Sequence, residues 1–519
     1  MLEFVRHYAD AVTGVLSGFD RILFRGTLRT LMYVNGMMGY LYGARVLLKD
    51  FDTHVRKVTG QVRAACEAVA QRQRRPVIYL PSPRESKEDR ARQIAEADHV
   101  QSGLICIFKS IEPCFSYEVH RNRKEKELQL KAKERKCLHY YQYWMHPQMG
   151  LMHARIQTWF PFTIQACLNG REWLARMLEK EGVAYVKQDN CFTWLDDVQR
   201  AQEVFNLQLK TDWCTVLDAL ARQLNPAHDQ IFARYPHRYY WTAAQTEWAT
   251  DVMFKNDAAL GSVYPYLVRK AIQSFGALDV LRFLGRRATT ERYLLNTQAE
   301  VTSNLKRRPE GLRIRHTVDR NSVKMYDKQG SVLRVETTID NPNGFYVYRS
   351  PEGRPETDQD WLPLRKGIAD LHRRTQISQA CNKRYLDKLA CLEETKPLSE
   401  CVDRICQPVR RKGKRVRALN PWGQDAQLLA LLLRGEYDIN GFRNRDLRQH
   451  LYTVPAANKR EARRRSSRVS RLLNILRAHR LIRKVPRTHR YMLTQSGRTT
   501  LMALSAAHNA NARKLLEAA

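Results

Sequence analysis

Residues 407–519 carry 26 Lys and Arg side chains against 6 Asp and Glu. Like charges at that density repel one another and hold water, so the stretch folds only if its apolar residues recur at a spacing that gathers them on one side. They do. Val469, Leu472, Leu473 and Leu476 stand at i, i+3, i+4 and i+7, the stripe of an amphipathic helix, with Arg464, Ser467, Arg468 and Arg471 on the other side. This predicts a helix over about Arg463–His479. Two shorter helices are expected before it, over Ala426–Arg434 and Arg443–Leu451. After it, Leu481–Val485 and Arg490–Leu493 alternate about the turn Pro486-Arg487-Thr488-His489, which predicts a hairpin, and a last helix follows Thr494-Gln495-Ser496-Gly497.

Three helices and a basic hairpin resemble the winged helix-turn-helix of MarR-type regulators. The string "LIRKVPRTHRYMLTQSGR" is similar to the wing and its exit in that family, and the resemblance covers about 95 residues. It implies a nucleic-acid-binding domain over 421–519. An arginine stripe on a helix packed against two others suits a major groove, where Arg pairs bidentately with guanine and Ser with either base. Arg464, Ser467, Arg468 and Arg471 would face bases, and Arg483, Lys484, Arg487 and Arg490 would meet phosphate. Upstream, residues 396–420 read as a linker without apolar periodicity. Its cations Arg410, Arg411, Lys412, Lys414, Arg415 and Arg417 would track the backbone.

Over all 519 residues the net charge is +35. That excess excludes an ordinary acidic or neutral metabolic enzyme and points to a polyanion. Apolar residues at 43% suffice for buried cores. No apolar run has the length of a membrane span. The first twenty residues carry Glu3, Arg6, His7, Asp10 and Asp20 and do not read as a signal peptide. Eleven irregularly spaced cysteines, none in a CxxC pair, fit free thiols in a reducing cytoplasm.

The fold class expected is α+β and multidomain, with antiparallel sheets, helices and the C-terminal module. Residues 1–209 form an N-terminal α/β domain with an antiparallel meander. Short strands are expected at Arg21–Arg25 and Val77–Leu80, helices at 46–70 and from Ser86 to about Ala97, and the meander at 103–160. The meander's strands are Leu104–Phe108, Phe115–His120, Glu127–Lys131, Leu138–Met145 and Leu151–Trp159. A helix over Phe162–Glu181, a strand or loop over Tyr185–Trp194 and a helix over Asp197–Leu209 complete it. A central α+β domain spans 210–395.

Within that central domain, Ser322–Asp327 and Ser331–Thr337 alternate about Gly330. Val323, Met325, Leu333 and Val335 would share one face, with Ser322, Lys324, Tyr326, Arg334 and Glu336 on the other. A three-residue connection with Gly330 at positive φ is expected to set Lys324 near Arg334 and Tyr326 near Val332. A tyrosine can attack a phosphodiester, Lys and Arg can stabilise the developing charge, and Glu can hold a divalent cation. The strings "YDK" and "RVE" resemble those of rolling-circle replication initiators, which implies strand nicking through Tyr326, Lys324, Arg334 and Glu336 with Mg or Mn. The His-apolar-His metal motif that many such nickases carry is absent. Further metal ligands would be Glu247 and Asp251, four apart and on one face of either a helix or a strand, and Asp20 beside a strand. A solvated polar face with cross-strand ion pairs accounts for the same residues without catalysis.

His139, His146 and His153 flank one hairpin, as ligands or as structural histidines. Tyr140, Tyr141, Tyr143, Trp144 and Trp159 are sheet core or a stacking surface for bases. The chain as a whole resembles a bacterial protein family of unassigned activity ending in such a domain, which implies a bacterial, cytoplasmic setting. The expectation is a DNA-binding protein of mobile-element or replicon type, with metal-dependent nicking, nuclease or transposase-like chemistry as its enzymatic form. The alternatives are a non-catalytic winged-helix transcriptional regulator and an RNA-binding or RNA-guided component. Oligomerisation is compatible with all three, since winged-helix proteins often pair on two-fold sites.

Overall fold

Residues 12–339 build one eleven-stranded sheet whose strands lie in the order 301–308, 311–318, 321–328, 332–339, 240–254, 12–27, 164–169, 150–157, 127–146, 103–122 and 77–79. The computed structural model describes residues 3–81, 85–285, 301–308, 311–355, 357–390, 398–411, 413–433, 437, 441–486 and 488–508. Helix α1 (Glu3–His7) leads into β1 (Val12–Thr27), which extends the expected five-residue strand to sixteen. Helices α2 (Val34–Gly43) and α3 (Phe51–Arg72) follow, then β2 (Val77–Tyr79) and α4 (Lys87–Ala97), whose N-cap Ser86 accepts a hydrogen bond from the Asp89 amide.

The meander is simpler than expected. Strands β3 (Gly103–Asn122) and β4 (Glu127–His146) are unbroken twenty-residue runs, paired along their whole length. The break foreseen at Glu112-Pro113 does not occur. Parallel strand β2 pairs only with Ile107–Lys109, so β3 is an edge strand at Pro113 and the missing N–H costs no ladder bond. Strand β5 (Gly150–Gln157) turns back after His146. The helix expected over Phe162–Glu181 divides. Ile164, Ala166 and Leu168 alternate into the core as β6 (Ile164–Asn169), and α5 (Gly170–Glu181) starts only where Asn169 caps the amides of Arg171 and Glu172. The hairpin β7 (Tyr185–Gln188) and β8 (Cys191–Leu195), then α6 (Val198–Asn206), α7 (Trp213–Leu224) and α8 (His228–Ile231), close this half.

Strand β9 (Tyr240–Phe254) settles the helix-or-strand ambiguity at Glu247 and Asp251. It lies between β1 and β13, so the sheet runs unbroken across the boundary expected at 209/210. Helices α9 (Asp257–Ser274) and α10 (Ala277–Phe283) precede β10 (Val301–Arg308), β11 (Gly311–Val318), β12 (Asn321–Lys328) and β13 (Val332–Ile339). The small pair β14 (Tyr346–Arg349) and β15 (Asp360–Pro363) leads to α11 (Leu371–Ala390). Val323, Met325, Leu333 and Val335 bury on one face with residues of α9, α10 and α11, as the alternation predicts. The register is two residues from expectation: Lys328 pairs with Val332, Tyr326 with Arg334 and Lys324 with Glu336. Gln329 and Gly330 both adopt positive φ, which centres the connection on 329–331, and a shift of two leaves every side chain on its face.

The C-terminal part has its own core. It comprises α12 (Leu398–Cys406), β16 (Val409–Arg411), β17 (Lys414–Val416), α13 (Ala426–Leu432), α14 (Asn444–Leu451), α15 (Lys459–Ala478), β18 (Ile482–Lys484), β19 (Tyr491–Leu493) and α16 (Gln495–His508). Val469, Leu473 and Leu476 are buried in that core and Leu472 packs at its margin. The segment 396–420 read as a linker instead holds α12 and a hairpin turned at Gly413 (φ +77°). Lys412, Arg487 and the expected end of the first helix at Gly435 lie outside the described residues. No helix among the described residues is long and apolar enough to cross a membrane.

Candidate functional site

The residues singled out on separate strands meet on one face of the sheet. Register places Tyr326, Arg334 and Asp251 in one row and Lys324 and Glu336 in the next. Arg334 is 1% exposed and is the hub of the cluster. Its guanidinium donates to both oxygens of Asp251 (2.6 and 2.8 Å), to Asp20 Oδ1 (2.9 Å) and to the Asn190 carbonyl (2.8 Å). Arg171, buried at the start of α5, donates to Asp251 Oδ2 (3.0 Å) and to the Gly18 carbonyl (2.8 Å). Asn190, at the tip of the β7–β8 hairpin, donates to Asp20 (2.7 Å). Beside this, Lys324 Nζ donates to Glu336 Oε1 (2.5 Å) and Tyr326 OH to Glu336 Oε2 (2.6 Å). Glu247 lies 3.7 Å from Lys324 Nζ and accepts from Arg21 (3.0 Å), whose side chain is 48% exposed.

Burial and charge push these groups in opposite directions. Burial would raise the Asp251 and Glu336 carboxyls, but Arg334 and Arg171 outweigh it for the first, and Lys324 with Tyr326 for the second, so both are held below the usual carboxylate range. Glu247 is raised, by burial first and then by the charge of Glu336, with Lys324 and Arg21 offsetting only part. Burial, then the neighbouring Glu336, lifts the Tyr326 hydroxyl well above its ordinary value. Two adjacent carboxyls held apart in acidity, with a tyrosine hydroxyl on one of them, have the form of an acid–base pair.

The metal expectation finds a different arrangement. Both oxygens of Asp251 are taken by guanidinium nitrogens, and those of Glu336 by an ammonium and a hydroxyl. Glu247 faces two cations. Among the described residues no group of three or more His, Cys, Asp and Glu is placed to hold a metal ion. Glu336, Glu247 and Asp251 therefore belong to an ion-paired cluster and do not fit as a cage for Mg or Mn. His139 and His153 are each pushed down by burial to about 4, and His146 is lowered by burial while its Nδ1 accepts from the Gln148 and Met149 amides. Tyr140 and Tyr143 are core residues, whereas Tyr141 lies half-buried beneath Lys87 (4.6 Å) and Arg155 (5.8 Å).

The second concentration of candidate residues is on α15. Asn458 caps its start by accepting from the Glu461 amide. Arg463, Arg464, Ser467, Arg468 and Arg471 are exposed, and none of these arginines makes an ion pair among the described residues. Asn444 at the start of α14 donates to the Ser466 carbonyl and to Ser470 Oγ (2.9 Å each), which fixes the two helices against each other. Phe442 bridges Tyr491 of β19, tying the β18–β19 hairpin to the foot of α14. Of the hairpin cations, Lys484 is exposed and Arg483 and Arg490 are half-buried. In the upstream hairpin Arg410, Lys414 and Arg415 are exposed, Arg411 reaches the Asn474 carbonyl of α15, and Arg417 is committed to both oxygens of Asp425 (2.7 and 2.8 Å).

Reading the sequence missed Arg171, Asn190 and Arg21. Arg171 carried one usable signal, a cation two residues after the Asn169 cap. Its partner Asp251 lies eighty residues away and nothing local couples them. No family model, curated protein or solved structure matches this chain.

Proposed function

We propose that this protein binds nucleic acid, and that its C-terminal module is a winged helix-turn-helix that takes duplex DNA. The observation that carries this reading is the exposed face of Arg464, Arg468 and Arg471 on α15, which make no ion pair among the described residues and stand opposite the buried Val469, Leu473 and Leu476. Desolvating one stripe orients the helix and leaves the other stripe to a polyanion. The Asn444 hydrogen bonds and the Phe442–Tyr491 bridge hold α14, α15 and the hairpin as one reader, with Lys484 exposed beside it. A mobile-element or replicon role, in a bacterial cytoplasm, is the setting we infer. The test is fluorescence anisotropy of the full chain on a labelled duplex across a salt series. Arg464→Ala with Arg468→Ala should weaken duplex binding and relax its sequence preference, and Lys484→Ala should flatten the log–log salt slope by about 0.9 per lost phosphate contact. Unchanged affinity and slope refute the assignment.

A second reading, strand cleavage through Tyr326, is favoured by one contact. The Tyr326 hydroxyl already donates to Glu336 at 2.6 Å, so Glu336 is placed to take the proton as the oxygen attacks phosphorus and the scissile P–O bond breaks, the sugar oxygen leaving as a hydroxyl with a proton from solvent and Lys324 beside the phosphoryl charge. A protein–DNA adduct that survives SDS and is lost in Tyr326→Phe would establish it. Hydrolysis without an adduct, or no cleavage with or without Mg or Mn, would exclude it.

A further inference from the structure

We propose that the open face of the central sheet is a floor for a single-stranded nucleic-acid backbone, a contact separate from the duplex reader at α15. The inference rests on the nucleic-acid-binding reading above. Register builds the floor. Arg25 on β1 stands opposite Gln165 on β6, which stands opposite Arg155 on β5. On the other side Arg315 on β11 stands opposite Lys324 on β12. Arg21 projects between the two groups, four residues before Arg25 on the same strand and face.

The charges do not balance. Arg155 pairs with Glu112 (2.6 Å), Arg21 with Glu247 (3.0 Å) and Lys324 with Glu336 (2.5 Å). Arg25 and Arg315 make no ion pair among the described residues, and the Nε of each is buried without a hydrogen-bond partner. Burial and the neighbouring Arg155 lower the Arg25 guanidinium, two cations held side by side. An anion laid against them relieves that repulsion and supplies the missing acceptors.

Shape selects a single strand. Arg25, Arg155, Arg315 and Lys324 are half-buried and do not project as those of α15 do. Helix α5 and the β7–β8 turn stand over the neighbouring Asp251 row, and Lys87 of α4 stands over Tyr141. A flexible strand can lie on such a recessed floor and a rigid duplex cannot follow it. Tyr240, 44% exposed at the start of β9 with Arg29 over its ring (5.2 Å), offers a base a stacking surface at the margin. Register puts Arg315 in the row of Gly18, so Arg25 lies four strand spacings across and seven residues along β1 from it, about 30 Å in all, and the backbone runs obliquely over the sheet past Arg21.

The experiment uses the full chain, a labelled oligothymidylate and a labelled duplex, each titrated over a salt series. Arg25→Gln with Arg315→Gln is the variant, its folding checked by thermal melting, and Arg25→Lys with Arg315→Lys is the charge-preserving control. The expected result is a loss of at least about tenfold in oligothymidylate affinity relative to duplex affinity, a salt slope shallower by about 0.7 per lost phosphate, and recovery in the lysine variant. An equal change on both ligands, or none, overturns the proposal. Binding of duplex but not oligothymidylate by the unmodified protein sinks it while leaving the α15 reading intact. Binding of neither sinks both.

Discussion

Replacing Arg334 by methionine removes the cation that joins β9, β1 and the β7–β8 turn. The long apolar stem is kept, so packing changes little. What is lost is two hydrogen bonds to Asp251, one to Asp20 and one to the Asn190 carbonyl. Breaking a buried ion pair from one side costs about 3–5 kcal/mol, because the other charge stays buried. Arg171 still serves Asp251 and Asn190 still serves Asp20, which places the loss near the lower end, about 3 kcal/mol, or about two orders of magnitude in the folding constant. Urea unfolding followed by tryptophan fluorescence reads the sheet, because eight of the nine tryptophans precede residue 400 and only Trp422 follows it. The pH dependence gives an independent sign. In the native protein Asp251 is held below its ordinary 3.8, so its contribution is present above that value and is lost as pH falls through the lower folded value. Without Arg334 only Arg171 opposes burial, so the Asp251 carboxyl moves up relative to the native protein, and the penalty stands at neutral pH and fades on acidification. The deficit should therefore be widest near neutrality and narrow toward acid. A variant within about 1 kcal/mol of the native protein at neutral pH, or a deficit that widens on acidification, refutes the reasoning.

Leu473→Ala, in the core under α15, should cost about 2–5 kcal/mol and raise amide exchange along α14 and α15 while leaving the sheet strands protected; equal loss of protection in both would mean that the module and the sheet unfold together. Glu336→Gln takes the nearer of two carboxylates from the Lys324 ammonium, leaving Glu247 at 3.7 Å, and should lower the urea midpoint by the equivalent of about 1.5–3 kcal/mol. Combining it with Lys324→Met should restore part of that loss, and strict additivity would show that the pair is uncoupled. Asp370→Asn should loosen the start of α11, because Asp370 is fully buried and accepts from the Arg365 amide and from Arg373 (2.7 Å); proteolysis between β15 and α11 no faster than in the native protein would contradict this.

Legibility differed from element to element. Alternation marked β12 and β13 and assigned their faces correctly, since a period of two survives a register error of two. It did not distinguish Lys328↔Val332 from a neighbouring pairing, which depends on which residues take positive φ. The helix misjudged over Phe162–Glu181 failed because Ile164–Leu168 is short enough to suit either period, and pairing with β1 and β5 decided it. Pro113 marked a turn by every local rule, yet sits in a continuous strand because β2 ends before it.

What the linear order of residues determined was local: one apolar and one basic stripe on α15, the alternating faces of the hairpin, and the surplus of positive charge near the C-terminus. Each follows from the spacing of neighbours along one element. What tertiary structure alone decided was which charges meet. Asp20, Arg171, Asp251 and Arg334 come from segments as much as 314 residues apart, and only the sheet order β13-β9-β1 with α5 above it brings them together. The same order leaves Arg25 and Arg315 without an ion pair among the described residues. Coulomb and hydrogen-bond terms act over a few ångströms, so partners are set by strand neighbours in space and not by position along the chain.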